Sequence, residues 1–344
     1  MKKFLNRCLI FLLVIIIINT ALRVLVPYYW GNTGFASKVS YYQENKASYN
    51  TLFFGSSRTY RQVDAGLLDQ ILMDSGFNAS TFNMGAQATF NPQVYYLYEN
   101  FLEEDATGVE TVFMELMEVD EIPEQILHTT RNKYWIDISY YWFSLQHFFN
   151  VREWDEIWNY TVTFFENFFN ANQVMEIINS LGGVDVEDKY LGQAQDGFLP
   201  IDEEVRRFSG TEEARDLELR HERFKEQAEN LENRRKDLIS AFDVTKDYPY
   251  ISQVHLNKLD ALIRNSEAKG IRLIFFIADT KANKRLIATW LNLPEANRIE
   301  LISPETSSYN FNSELRWDLG HLNEKGAILF TRQLADKYVR ISDK

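Results

Sequence analysis

Thr51-Leu52-Phe53-Phe54-Gly55-Ser56-Ser57-Arg58 is a short apolar run broken by a small, hydroxyl-bearing turn. That pattern predicts a buried strand delivering a serine to the carboxyl edge of a parallel sheet. Its counterpart stands near the other end of the chain. Asp318-Leu319-Gly320-His321 sets a carboxylate and an imidazole three residues apart, ahead of an amphipathic stretch from Ala327 through Leu334 to Tyr338. Serine, histidine and aspartate are the parts that make a neutral hydroxyl nucleophilic. Alone, a Gly-Ser-Ser turn is more often a helix cap, and an Asp beside a His is ordinary. Together they gain weight, because loops leaving the carboxyl ends of parallel strands share one rim.

Working outward, the chain alternates strand and helix patterns. A strand over about 50–55 is followed by a helix over 65–75, whose Leu67, Leu68, Ile71 and Leu72 share a face. A strand over 77–82, a helix over 92–103 and a strand over 111–116 come next. After Asp120 the pattern breaks, and it resumes with a helix over 250–269 and the apolar run Ile271–Ile277. A further strand over 299–302 and a last helix complete a parallel α/β domain. Residues 50–344 are read as this domain, and about 120–250 as a helical insertion in it. The insertion holds a dense aromatic part with Trp135, Trp142, Trp154 and Trp158. Next come a loop over 182–197 and a charged helix over 211–240, read as a solvated face. Glu115, Glu118 and Asp120 are read as a solvated strand end, and Arg58 as a partner for Asp64 or for a charge on the substrate.

Residues 1–30 predict a signal anchor. Lys2, Lys3 and Arg7 precede a long apolar run through Ile18, with further apolar residues to Trp30. The run is longer than a signal-peptide core, and Thr20-Ala21-Leu22-Arg23 matches a cleavage site poorly, which favours an uncleaved transmembrane helix. The basic flank assigns this end to the cytoplasm and the rest of the chain to the outside. Tyr28, Tyr29 and Trp30 are expected at the outer interface, and 31–49 as a polar tether.

With 344 residues, 45% of them apolar, there is room for a sizeable core. A net charge of −13 argues against nucleic acid, whose binding needs phosphates neutralised by Lys and Arg. Cys8 is the single cysteine, which leaves no intramolecular disulfide, and five scattered histidines argue against a structural zinc site. No metal or other cofactor is called for.

The blocks resemble the SGNH/GDSL superfamily of esterases and acyltransferases. Gly55-Ser56-Ser57 looks like its first block, and Gly85 in Asn83-Met84-Gly85 like its second. Asp318 through Ala327 looks like its last, an Asp-x-x-His motif running into a helix. The resemblance implies a flavodoxin-like parallel sheet sandwiched by helices, with Ser57, His321 and Asp318 catalytic. It also implies an oxyanion hole from the Ser57 and Gly85 N–H groups. The third block departs from the pattern: Leu116-Met117-Glu118-Val119-Asp120 has no asparagine where the superfamily has an oxyanion donor. The anchor and Gly-Ser-Ser-Arg turn are similar to a membrane-anchored subgroup, the alginate O-acetylation and teichoic-acid D-alanylation proteins, which act with membrane-bound O-acyltransferases.

The resulting expectation is an extracytoplasmic serine esterase or O-acyltransferase acting on an envelope polysaccharide or glycolipid. Its acyl acceptor, water or a sugar hydroxyl, is left open. The competing expectation is an inactive scaffold that binds a partner. Arg58, Gln87, Trp135 and Trp142 are the expected substrate contacts, with the four tryptophans lining a groove to Ser57.

Overall fold

Five short strands, β1 (Thr51–Phe54), β2 (Thr81–Asn83), β3 (Thr111–Glu115), β4 (Arg272–Ile277) and β5 (Arg298–Glu300), form one parallel sheet. Their order is β2-β1-β3-β4-β5 in this computed structural model, which describes residues 2–342 except 120–128, 130–133, 170, 182 and 185. Such an order puts a topological switch point between β1 and β3, where a crevice opens at the carboxyl ends of the strands.

Helices α1 (Lys2–Val24), α2 (Thr33–Asn45), α3 (Ser57–Gln62), α4 (Ala65–Asp74) and α5 (Gln93–Glu104) precede β3. Between β3 and β4 lie α6 (Ile138–Val151), α7 (Trp154–Phe169), α8 (Ala171–Ser180), α9 (Ile201–Arg207), α10 (Glu212–Glu226), α11 (Asn230–Phe242) and α12 (Gln253–Glu267). Helices α13 (Lys284–Asn292) and α14 (Glu324–Ser342) follow.

Both faces of the sheet are covered, which is why its strands are apolar throughout rather than alternating. Leu52, Phe54, Val112, Met114, Leu273 and Phe275 pack on one side with residues of α2, α5 and α12. Phe53, Phe113, Ile274 and Phe276 point the other way, onto α4 and α14. Phe53 and Phe113 stack at 4.6 Å under that second layer.

Two readings of the N-terminal region are corrected. Residues 31–49 are no tether: they carry α2, whose Phe35, Ala36, Val39 and Tyr42 are buried in the core. Lys38, polar in the sequence, is buried with them. Its Nζ donates to the carbonyls of Asn83 at 2.8 Å, Gly85 at 2.5 Å and Gly197 at 2.6 Å. Three acceptors match the three donors of an ammonium, so this lysine pins α2 to two loops. Tyr28 and Trp30 are likewise buried, Trp30 edge-on against Tyr134, and are not interface anchors. Within α1, Lys3–Leu22 is long and apolar enough to cross a membrane, and none of its described residues is fully buried, though Leu22 packs against the core.

The charged helix expected over 211–240 is two helices, α10 and α11, with Gln227 as the C-cap of α10. Glu115 and Glu118 are buried rather than solvated; Glu118 pairs with Arg285 at 2.9 Å. Asp120 lies outside the described residues.

Candidate active site

The turn after β1 is shaped by contacts that leave no room for a side chain at Gly55. A Cβ on Gly55 would stand 2.0 Å from Thr59 Oγ1 and 2.8 Å from Glu115. Ser56 caps α3, its Oγ accepting from Arg58 N at 3.1 Å. Ser57 is therefore the first helical residue, set on the rim of the sheet.

Glu115, the last residue of β3, holds this turn. Its Oε2 accepts from Ser56 N (2.8 Å), Ser56 Oγ (2.7 Å) and Thr59 Oγ1 (2.8 Å), and its Oε1 from Arg58 Nε (3.0 Å). Arg58 reaches on to Asp279, at the end of β4, at 2.8 Å. A wholly buried carboxylate is tolerable only with such a set of donors. Asp64, one of the two partners expected for Arg58, instead caps α4 by accepting from Leu67 N at 2.9 Å.

The structure brings Ser57, His321 and Asp318 together. Ser57 Oγ lies 2.8 Å from His321 Nε2, and His321 Nδ1 lies 3.0 Å from both carboxylate oxygens of Asp318. Asp318 Oδ1 also accepts from the N–H groups of Gly320 (2.6 Å) and His321 (2.8 Å), closing the loop into a tight turn. Burial raises the Asp318 carboxyl, but His321 and these N–H groups outweigh it and hold it well below the carboxylate range. His321 is lowered from its ordinary value: burial dominates, Asp318 opposes it, and Arg61 and Arg58 add to it. The site thus holds a neutral imidazole beside an ionised carboxylate.

Arg61 Nη1 also reaches His321 Nε2, at 3.3 Å. A guanidinium can only donate, so Nε2 is an acceptor and the ring proton sits on Nδ1, facing Asp318. Arg61 is itself balanced by the buried Glu204 of α9 at 2.7 Å.

The His321 loop is braced from beneath and from the insertion. Buried Arg316 donates to the carbonyls of Asp318, Asn310 and Leu319. Trp317 stacks on His221 of α10 at 4.3 Å and donates to Leu217 O at 2.9 Å. Arg234 of α11 donates to Leu319 O. The charged part of the insertion, read from sequence as a solvated face, is the part that meets the site.

Three expected contacts are corrected. Gly85 N–H is taken by Asn83 Oδ1 at 2.9 Å, so it does not point to an oxyanion. Gly85 is required for close packing instead, since a Cβ there would stand 2.6 Å from Tyr60 N. Ser57 N–H, in the first turn of α3, has no acceptor among the described residues. The Gln87 amide donates to Glu204. The tryptophans do not form a groove to Ser57. Trp135 is buried against Tyr140 and Tyr160, while Trp142, Trp154 and Trp158 are 60%, 61% and 70% exposed and absent from the cavity beside His321. Trp142 lies on α6 and Trp154 and Trp158 on α7; α6 packs on α7 and on α12, on the face of the sheet away from α14. Arg58 does line that cavity.

Sequence reasoning missed Arg61, Glu204, Asp279 and Arg316, and read Glu115 as solvated. Glu115 and Asp279 left a trace: each ends an apolar strand run with a carboxylate, just where a buried sheet meets its rim. Among the described residues no group of three or more acidic, His or Cys side chains is placed to hold a metal ion. Comparison with protein-family models, with curated proteins and with solved structures finds no match.

Proposed function

We propose that this chain is a membrane-anchored serine esterase or O-acyltransferase. It would act outside the cytoplasm on a cell-envelope polysaccharide or glycolipid. The observation that carries this reading is the Ser57–His321–Asp318 relay, with distances of 2.8 and 3.0 Å and the imidazole in the tautomer a general base needs. Ser57 Oγ attacks the carbonyl carbon of an ester while His321 Nε2 takes the hydroxyl proton, and Asp318 steadies the imidazolium. Collapse breaks the ester C–O bond and His321 returns the proton to the departing alcohol. Water or a sugar hydroxyl then attacks acyl-Ser57, with the same nitrogen as base. The basic flank of α1 supports an outward-facing catalytic domain, and the resemblance to the membrane-anchored subgroup is what suggests a membrane-bound O-acyltransferase as its partner.

A second reading, an SGNH-like scaffold that binds a partner without turnover, is favoured by one observation. Of the two expected oxyanion donors only Ser57 N–H is free, and losing one such donor costs about 100- to 1,000-fold in rate.

Full-length protein in detergent, treated with a serine-directed fluorophosphonate, separates the two. Labelling that disappears in Ser57→Ala supports the enzyme. Folded wild-type protein that resists labelling sinks it. A reporter fused after Lys344 tests topology, and cytoplasmic reporter activity there overturns the envelope location.

A further inference from the structure

A cavity of about 380 Å³ opens beside the triad, with His321 and Asp318 in one wall. Arg220, Arg223 and Arg234 line it from α10 and α11, and Lys281 from the loop after β4. With Arg58, five cations face two carboxylates, Asp279 and Asp318, in a chain whose net charge is −13. Positive charge is collected here against the overall balance.

Two of the cations are already neutralised: Arg58 by Glu115 and Asp279, Arg220 by Asp216 at 2.6 Å. Arg223, Arg234 and Lys281 have no carboxylate within ion-pair distance among the described residues. On the same two helices Lys225 and Arg235, outside the cavity lining, pair with Glu222 and Glu232 one turn away. Scattered solvated cations would be ordinary. Cations converging from three elements on one cavity are a different arrangement, because a cleft lined by one sign of charge focuses its field. Arg234 is also oriented, one guanidinium nitrogen being fixed on Leu319 O in the catalytic loop.

The geometry points to an anion-binding subsite. Arg223, Arg234 and Lys281 hold a phosphate or carboxylate carried by the substrate while its ester, or the hydroxyl to be acylated, lies against Ser57. Guanidinium groups match both anions through paired N–H donors. The inference rests on the acyl chemistry proposed above and narrows its substrate to an anionic glycan or glycolipid.

The test reads binding without chemistry. Full-length Ser57→Ala protein in detergent is titrated calorimetrically, at low salt, with glucose 6-phosphate, glucuronate and glucose. At least one anionic sugar is expected to bind about tenfold or more tighter than glucose, and which one does identifies phosphate or carboxylate as the recognised group. The preference should shrink as salt is raised. It should disappear in Arg223→Gln/Lys281→Gln, where both changed side chains are exposed and an unchanged Tm checks the fold. Equal binding of the three sugars overturns the proposal, as does a preference that survives the double substitution. The two readings fail separately: anion preference without Ser57 labelling removes the acyl chemistry, and labelling without anion preference removes the subsite.

Discussion

Arg61 Nη1 stands 3.3 Å from His321 Nε2, the nitrogen that Ser57 Oγ reaches at 2.8 Å. A permanent cation thus shares the acceptor that the nucleophile uses. It disfavours the imidazolium and helps keep His321 neutral and below its ordinary value. The active form of the base is the neutral ring. The acid limb of kcat/KM for a small acetyl ester is therefore expected to have its midpoint below about 6.5. Arg61→Gln should move that midpoint upward. A midpoint at or above 6.5 in the wild type contradicts the geometry.

Ser56 and Ser57 are neighbours with different roles. Ser57→Ala and His321→Ala should each lower ester cleavage by about 10⁴-fold or more, without adding when combined. Ser56→Ala removes a helix cap and a hydrogen bond to Glu115, at a cost of about 1–2 kcal/mol in stability, and should retain labelling at Ser57. If Ser56→Ala is instead the variant that cannot be labelled, the nucleophile is misassigned by one residue.

Glu115 accepts four hydrogen bonds from the nucleophile turn while fully buried. Glu115→Ala leaves the Arg58 guanidinium with only Asp279 and is expected to lower stability by about 3–5 kcal/mol. Urea unfolding measures it. A loss under about 1 kcal/mol would mean that the turn does not depend on this carboxylate.

His147 and His255 lie 5.8 Å apart in the layer covering the sheet, both buried. Burial, with a smaller push from neighbouring charge, lowers His147 to about 2 and His255 to about 3. Both are neutral in the fold and gain protons on unfolding, so their contribution is complete above about pH 6.5 and is lost as pH falls toward 3. Below pH 6 the pair alone steepens the loss to about 2.7 kcal/mol per pH unit. Urea midpoints followed from pH 7 to pH 4 should show this. His147→Leu should roughly halve that contribution, and an unaltered slope would remove His147 from the account.

Much of this protein is local pattern. Short apolar runs ending at Gly55, Glu115 and Asp279, separated by helical periodicity, are enough to specify parallel strands and crossovers, because each strand carries its own burial signal. Ser57 and the Asp318–His321 pair were legible for the same reason: each sits at a strand-to-helix or loop-to-helix junction marked by small residues. The long apolar run of α1 needed no tertiary information either.

Long-range packing decided the rest. Whether Glu115 is solvated depends on residues 59 positions away, and no local window contains Ser56 and Glu115 together. Lys38 looked like tether because its three carbonyl partners come from Asn83, Gly85 and Gly197. The tryptophans suggested a groove by type, but Trp135 is core, packed on Tyr140 and Tyr160, and Trp142, Trp154 and Trp158 of α6 and α7 face outward. The segment that reaches the site is α9 to α11, where Glu204 meets Arg61, His221 meets Trp317 and Arg234 meets Leu319. Charge at helical spacing reads as solvated whenever its partner lies far along the chain, and only the folded arrangement shows which face of each helix turns inward.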